Sequence, residues 1–520
     1  MPYHRSQLDI SNTNWFNNDK SRNSLRSITI ENGQIRGVTP VTIRFDYPIS
    51  ALVGENGAGK STILALTSCS FHNDTDFFPQ NRIRLNAKKP RNYYTYGDFF
   101  TFSSTEHGIE SVEITSEYLS SSGIKKDVRR KKPSGKWNDF NTRPKRAVTY
   151  LGINRIVPPS ESNPHRHYSR NFSNRPLTTD QLTQLKNSMS TILGRNYSQV
   201  ELLEYNTYRL FSTHRNGLFY TGFNMGAGEN AVLGLLLELL TAGPGALIVV
   251  DEIELGLHAQ AQARLIEELK LLCLQKKCQI ICSTHSKSIL ERLPPEARIF
   301  LKRSDDKTDI IPNVSPEFAF GKLSGFNTGE LDVFVEDDVG QAFLDNVFPQ
   351  SIRERIHIFP IGSDQAVLKH ISSHYREHRY NFAAFLDGDK QTQKQQAINA
   401  VKDHLEDRLD HGIEEFKEFI GERLLYLPGR QWPEKELIEE TLRNNLDALV
   451  DIWESPKEDI IAFLEQALTA GKHNEFYNLS NSLCLPLSQV RADIIKNYKR
   501  YHNDIIASFI DKITAILEKQ

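Results

Sequence analysis

Ile49-Ser50-Ala51-Leu52-Val53 runs straight into Gly54-Glu55-Asn56-Gly57-Ala58-Gly59-Lys60-Ser61-Thr62, an apolar strand, a glycine loop and a helix start in that order. Gly54, Gly59, Lys60 and Ser61 satisfy the spacing G-x-x-x-x-G-K-[ST], the signature of a phosphate-binding loop. Its glycines let backbone N–H groups close around phosphate oxygens, Lys60 reaches the outer phosphates, and Ser61 can ligate Mg²⁺. Asn56, Gly57 and Thr62 complete the cradle. A helix over 61–66 adds its N-terminal partial positive charge to the same anion. The expected cofactors are ATP and Mg²⁺.

The chain is 520 residues long, too long for a single hydrophobic core, which predicts two or three domains. With 39% hydrophobic and 25% charged residues it has ordinary globular composition. The formal net charge of −2 means that contact with nucleic acid must come from local patches. No apolar run approaches ~18 residues, and the opening MPYHRSQLDISN lacks the core of a signal peptide, so the predicted location is the cytoplasm with no membrane partner. Cys69, Cys273, Cys278, Cys282 and Cys484 form no C-x-x-C pair and read as free thiols, mostly buried, instead of a zinc site.

Residues 1–24 are polar and read as a weakly ordered lead-in; strands are predicted over 25–31 and 41–46. Gln80 is a candidate Mg²⁺-sensing glutamine. Between Lys125 and Arg146 lie ten basic residues with Trp137 and Phe140 interleaved, a pattern that suits either a nucleic-acid backbone or a solvated hairpin. A strand is predicted over 147–153, and helices over 182–193 and 199–204. Phe223-Asn224-Met225-Gly226-Ala227-Gly228-Glu229-Asn230 then precedes an apolar helix over 231–240, so that Gly226, Gly228 and Glu229 make a second candidate phosphate cradle. The apolar strand 246–250 closes in Asp251-Glu252-Ile253-Glu254: Asp251 would hold the Mg²⁺ shell and Glu252 would polarise the attacking water. The strand 279–282 delivers Ser283, Thr284 and His285, the last a neutral-pH hydrogen bonder suited to sensing a γ-phosphate.

The ordered set GENGAGKST, MGAGEN, VVDEIELGLH and STHS, spanning roughly 25–305, resembles the ABC-type ATPase heads of structural-maintenance and overcoming-lysogenization-defect (OLD) proteins. The resemblance implies that the signature around Gly226–Glu229 in one head completes the ATP site of another, giving a homodimer or higher homo-oligomer through the heads. It also makes Glu252 the hydrolytic base, His285 the switch and 255–258 the loop at the dimer seam. The signature departs from the common Ser-Gly-Gly form, and no long coiled-coil arm interrupts the head.

Residues 318–330 read as a Gly/Asn/Thr linker. Beyond it a βαβαβ unit is predicted, with strands over 331–335, 356–361 and 382–386 and helices over 341–347 and 365–374. Glu336 closes the first strand, and Asp387 with Asp389 closes the third. Three acids so placed repel one another unless cations neutralise them, and Mg²⁺-dependent phosphodiester cleavage uses such an arrangement. The runs VFVEDD and AAFLDGDK resemble the TOPRIM fold of topoisomerases, primases and OLD nucleases, whose Glu and Asp-x-Asp signature maps to Glu336, Asp387 and Asp389. This chain has Gly340 where many OLD nucleases carry a further acid, and Pro433-Glu434-Lys435-Glu436 is the candidate for a second metal site. From 394 onward the period is helical.

The expected fold class is therefore α/β: an ABC-type P-loop ATPase domain over 25–317, a TOPRIM-like domain over 331–430 and a helical region over 431–520. The expected function is ATP hydrolysis coupled to nucleic-acid cleavage with Mg²⁺, or Mn²⁺, at the TOPRIM site, in antiphage defence. The alternative is a scaffold ATPase with an inert TOPRIM, acting with a partner nuclease of a Septu-type or retron-associated system.

Overall fold

Ile49–Gly54 is an interior strand of a six-stranded sheet ordered Lys307–Pro312, Arg298–Ser304, Ile49–Gly54, Gln279–Ser283, Leu247–Val250, Val148–Leu151. Every neighbouring pair is parallel except the first, an antiparallel hairpin at one edge. Both faces are covered, as a parallel sheet requires. Alternate residues feed opposite cores: Ile49, Ala51, Val53, Ile248 and Val250 face one, with Leu233 and Leu236 of the helix Ala227–Thr241. Leu52, Leu247 and Val249 face the other, with Ile63, Leu64 and Leu66 of the helix Lys60–Ser68.

These observations come from a computed structural model that describes residues 3–73, 93–101, 112–131, 137, 142–175, 177–206, 208–304, 307–324, 329–405 and 412–518. Gln80, Lys132, Lys136 and Phe140 lie outside the described residues. The chain divides into two units, Tyr3–Phe326 and Asn327–Gln520. The first also holds two antiparallel four-stranded sheets, one of Val41–Arg44, Ser24–Asn32, Glu113–Ser120 and Gly123–Arg130, the other of Leu218–Thr221, Tyr208–Arg215, Gln199–Tyr205 and Ser173–Asn174. Among the described residues no helix is long and apolar enough to cross a membrane.

Three expectations need correction. The lead-in contains a helix, Gln7–Asn18, whose Ser6 and Asp9 form a capping box. Its long-range anchor is a buried ion pair between Asp9 and Lys270 at 2.9 Å, joined by Asn12 donating to the Lys270 carbonyl and by buried Trp15 and Phe16. Polar composition hid it because the stabilising partner lies some 260 residues away. The segment read as a helix over 199–204 is a strand, Gln199–Tyr205, in which Val200 and Leu202 point to the core with period two. Much of the supposed linker is the helix Pro316–Leu323, started by Ser315 and tied down by buried Phe318 against Phe300.

The second unit is built on four parallel strands ordered Ile356–Pro360, Leu331–Val335, Phe382–Leu386, Leu424–Tyr426. The chain starts in the interior strand, adds one neighbour, then crosses to the other side. Open α/β sheets place their ligands beyond the carboxyl ends of the strands at such a reversal, here those of Leu331–Val335 and Phe382–Leu386. The helices from Pro433–Arg443 to Asn503–Glu518 are not a separate body: Leu437, Val490, Ile494, Phe509 and Ile513 share one core with Leu331, Val333, Val335, Ala383 and Phe385.

Candidate nucleotide site and acidic sheet edge

Because Ile49–Gly54, Gln279–Ser283 and Leu247–Val250 are adjacent and parallel, their carboxyl ends deliver three motifs to one place. The phosphate loop follows the first, Ser283 to His285 ends the second, and Asp251 to Glu254 follows the third. Ser61 Oγ donates to Asp251 Oδ2 at 3.1 Å, Ser283 Oγ donates to Asp251 Oδ1 at 2.5 Å, and the Glu252 amide donates to Ser283 Oγ at 2.7 Å. A hydroxyl and a carboxylate side by side are the donor set that suits Mg²⁺ carrying a nucleotide. Lys60 Nζ donates to the Gly54 and Glu55 carbonyls at 2.7 and 3.0 Å, folded back over its own loop. Burial lowers its pKa, and Asp251, Glu252 and Glu254 act in the opposite direction.

Asn56 and Gly57 lie exposed at the loop tip, Ser61 is exposed at the helix start and Thr62 is buried beneath it. Gly59 has φ +103° and a Cβ there would meet Val38 Cγ2 at 2.4 Å, so the turn needs glycine twice over. Burial and then the Lys60 charge lower the pKa of His285, against the opposing Glu254, Glu252 and Asp251, and its backbone amide donates to Glu254 Oε1 at 2.6 Å.

Sequence reasoning missed two supports of this site. Arg155 donates to the Asp251 carbonyl at 2.5 Å and to the Glu252 carbonyl, gripping the backbone that aims both acids. Glu252 itself has φ +49°, a left-handed backbone for a side-chain-bearing residue. Arg155 lies in a single 3-10 turn, Ile153–Ile156, after the strand Val148–Leu151, and no spacing rule singles it out. Glu254 has one oxygen on the His285 amide and the other, Oε2, without a partner among the described residues.

The Gly226–Glu229 segment starts the helix Ala227–Thr241, and the structure gives Glu229 a capping role: its Oε2 accepts from the Gly226 amide at 3.2 Å. Arg195 and Tyr220 reach its Oε1 at 3.1 and 3.3 Å, and Tyr197 donates to the same oxygen. Gly228 packs against 255–258 of the same chain, since a Cβ there would meet the Gly256 carbonyl oxygen at 2.2 Å. Gly228→Ala is therefore expected to lower stability by about 1–3 kcal/mol, the usual penalty of overpacking against an immobile neighbour. Urea unfolding of parent and variant checks it; equal midpoints would show that this contact is loose.

Three residues of the basic stretch, Arg129, Arg143 and Arg146, are taken up by the interior, whereas Lys125, Lys126, Arg130 and Lys145 are exposed. Arg143 is buried and donates to the Cys69 and Tyr94 carbonyls at 2.5 and 3.1 Å; Arg146 donates to the Gly245 carbonyl and to Gln279 at 2.7 and 2.9 Å. Arg129 is buried beside Asp127, and Lys126 and Arg130 on Gly123–Arg130 pair across the ladder with Glu117 and Glu113 at 2.8 and 2.6 Å.

In the second unit Glu336 and Asp387, which follow the interior strands Leu331–Val335 and Phe382–Leu386, meet: the Asp387 amide donates to Glu336 Oε1 at 2.8 Å. Asp389 Oδ1 has no partner among the described residues, while Lys472 stands 3.8 Å from its Oδ2. Burial, then Glu336 and neighbouring acids, pushes the Asp387 carboxyl up to about 8. Burial likewise raises Glu336. Glu336, Asp387 and Asp389 are near enough to act on one another's charge, but they are not among the described groups whose ligand atoms all lie within 4.8 Å of one another.

One consequence is a pH dependence of metal-free stability. Between about pH 4, where an unfolded aspartate titrates, and the folded value of about 8, the folded chain holds a proton that the unfolded chain has lost. Stability from this group is thus fully present below about pH 4, falls as pH rises by at most about 1.4 kcal/mol per unit, and levels off above the folded value. Urea unfolding in chelator at several pH values should give a flatter profile for Asp387→Asn than for the parent; identical profiles would contradict the stated burial of that carboxyl.

A family model described as "AAA domain, putative AbiEii toxin, Type IV TA system" matches residues 69–291. The match starts beyond the phosphate loop and covers less than half of the chain, but it includes the 226–229 segment, Asp251, Glu252 and His285. No curated protein matches the chain. Among solved structures, the SMC head domain from Thermotoga maritima shares 16% identity over 56% of this chain and 98% of that one, with a TM-score of 0.34. The Smc head domain with an extended coiled coil, bound to the C-terminal domain of ScpA and derived from Pyrococcus furiosus, shares 13% identity over 58% of this chain and 99% of that one, with a TM-score of 0.37. The chain thus combines an α/β domain similar to AAA-type ATPase domains with the loop, carboxylates and histidine that ATP and Mg²⁺ chemistry calls for.

Proposed function

We propose that the chain binds Mg²⁺–ATP at residues 54–62 and hydrolyses it, and that nucleotide state controls metal-dependent phosphodiester cleavage at Glu336, Asp387 and Asp389. The observation that carries the ATPase reading is the convergence of Lys60, Ser61, Asp251, Ser283 and His285 at the carboxyl ends of three adjacent strands. Lys60 would exchange its two carbonyl partners for phosphate oxygens, Ser61 and Asp251 would hold the cation, and Glu252 would orient and deprotonate the attacking water. Two copies related by a two-fold axis would each offer the 226–229 segment to the other's nucleotide.

The cleavage reading is supported by the position of Glu336 and Asp387 after two adjacent parallel strands, with Asp389 two residues on, together with a proton that Asp387 releases only reluctantly without a cation. Mg²⁺ or Mn²⁺ bound there would polarise a phosphate and lower the pKa of a water. Glu336, Asp387 and Asp389 would hold the cation, as in the TOPRIM domains of OLD nucleases. The biological setting that goes with this reading is antiphage defence in the cytoplasm. The test is incubation of the purified protein with plasmid, linear DNA and RNA, with Mg²⁺ or Mn²⁺, with and without ATP. Cleavage that depends on metal and responds to ATP is the expected outcome. No cleavage under any of these conditions would shift the reading to an ATPase scaffold that acts with a partner nuclease.

A further inference from the structure

We propose that the groove along the strand Leu424–Tyr426 docks an extended, acidic segment of a partner protein, which adds to the sheet of the second unit as a fifth strand. Leu424–Tyr426 is an edge strand, paired only with Phe382–Leu386. The Leu427 amide donates to the Leu386 carbonyl at 2.8 Å, so in the alternation of a parallel ladder Leu425 and Leu427 turn their amides toward Phe382–Leu386. The Leu424 carbonyl and both main-chain groups of Tyr426 then point outward, and they have no hydrogen-bond partner among the described residues. Such a row of open donors and acceptors is what the backbone of an added strand satisfies.

A cavity of about 500 Å³ runs along this edge. Lys394, at the start of the helix Lys394–Asp403, lines it from one face of the sheet, and Ser508 and Lys512 of the helix Asn503–Glu518 line it from the other. Lys394 Nζ donates to the Gly421 carbonyl at 2.8 Å and Lys512 lies over the Phe509 ring, so neither lysine has a carboxylate partner among the described residues. They stand close together: after burial, it is the Lys512 charge that lowers the Lys394 pKa. Successive side chains of a strand point to opposite faces, so two consecutive acidic residues of an added strand would meet one lysine each.

The groove also has a direction. Asp504, in the first turn of Asn503–Glu518, lines it ~12 Å along the helix from Lys512, a span that ~4 strand residues cover. The acids of the added strand therefore belong at the lysine end, with neutral or basic residues near Asp504. The same carboxylate repels a nucleic-acid backbone, which is charged along its whole length. Lysines also guard exposed edges, but from the edge strand itself. Here Leu424, Leu425 and Tyr426 are uncharged and buried, and the lysines stand on the flanking helices. The proposal depends on neither ATP binding nor cleavage, so its test omits nucleotide and divalent ions.

The experiment titrates the full-length chain, in chelator, into a fluorescein-labelled peptide of about six residues, valine and threonine except for two consecutive glutamates, and follows fluorescence anisotropy. Saturable binding in the micromolar range is expected. An N-methylated version with no main-chain donor should bind at least about tenfold more weakly, what two lost hydrogen bonds cost together. Lys512→Glu should weaken the acidic peptide at least about fivefold and favour a peptide with lysines in place of the glutamates. Ser508→Trp, which fills the groove, should abolish binding of both peptides. Ser508 and Lys512 are exposed, so both variants should fold, which circular dichroism checks. No binding of the acidic peptide to the parent, or binding indifferent to N-methylation or to Lys512→Glu, would overturn the proposal. A single-stranded oligonucleotide that displaces the peptide and loses affinity in Lys512→Glu would overturn it too, by assigning the groove to nucleic acid.

Discussion

Glu252→Gln is expected to bind ATP like the parent and to hydrolyse it about 10²–10⁴-fold more slowly, the range a positioned general base contributes. Amide and carboxylate are nearly isosteric, and the Glu252 backbone is fixed by its amide on Ser283 Oγ at 2.7 Å and by Arg155 on its carbonyl, so the loop geometry should survive. What the substitution removes is the proton acceptor. Steady-state phosphate release gives the rate, and nucleotide titration gives the affinity. Turnover at the parental rate would assign the base to another group, with Glu254, whose Oε2 is unpartnered among the described residues, the first to test. In saturating ATP the slow variant should also sediment as a dimer; a monomer would contradict the shared nucleotide site.

Asp387→Asn is expected to abolish phosphodiester cleavage while ATP turnover continues unchanged. The ATPase residues sit in the unit Tyr3–Phe326 and the acidic edge in Asn327–Gln520, so the two chemistries are separable by substitution. Asparagine preserves volume at a position only 5% exposed, and it relieves the repulsion that Glu336, Asp337 and Asp389 exert there without a cation. The fold should therefore persist and metal-free stability at pH 8 should rise. Gel-based cleavage and phosphate release on the same preparation check both halves. Loss of both activities together would mean that the units are coupled more tightly than their separate sites require.

Where these motifs fall in the fold was legible in the sequence because the informative signals were local. The phosphate loop, Asp251-Glu252 and the βαβαβ order depend on neighbours within a few residues, and the strands Leu331–Val335 and Phe382–Leu386 have the boundaries that apolar content predicts. Glu336 and Asp387 could be placed at one edge since parallel strands joined by helices leave little freedom in where their ends go. Non-local physics was hidden. The helix Gln7–Asn18 owes its place to Lys270, a partner no pattern in 1–24 reveals. Arg143 and Arg146 look like a nucleic-acid stripe in sequence, yet they satisfy backbone carbonyls in the interior. Residues 199–204 misled because charged positions alternate with aliphatic ones in a short run, where helix and strand periods are hard to separate. His473 carries no motif, and only the packing of Glu475–Leu483 brings it to Glu434.

Nucleotide binding underlies all of these assignments, and Lys60 is its most direct probe. Lys60 is 8% exposed and its ammonium is satisfied by two loop carbonyls, so its replacement removes the charge meant for the outer phosphates. Isothermal titration of ATP with Mg²⁺ into the parent and Lys60→Ala should show binding in the first and a loss of at least about thirtyfold in the second, the ~2 kcal/mol at the low end for removing one partner of a buried charged contact. Equal affinities in the two proteins would contradict the assignment of residues 54–62 as the ATP site.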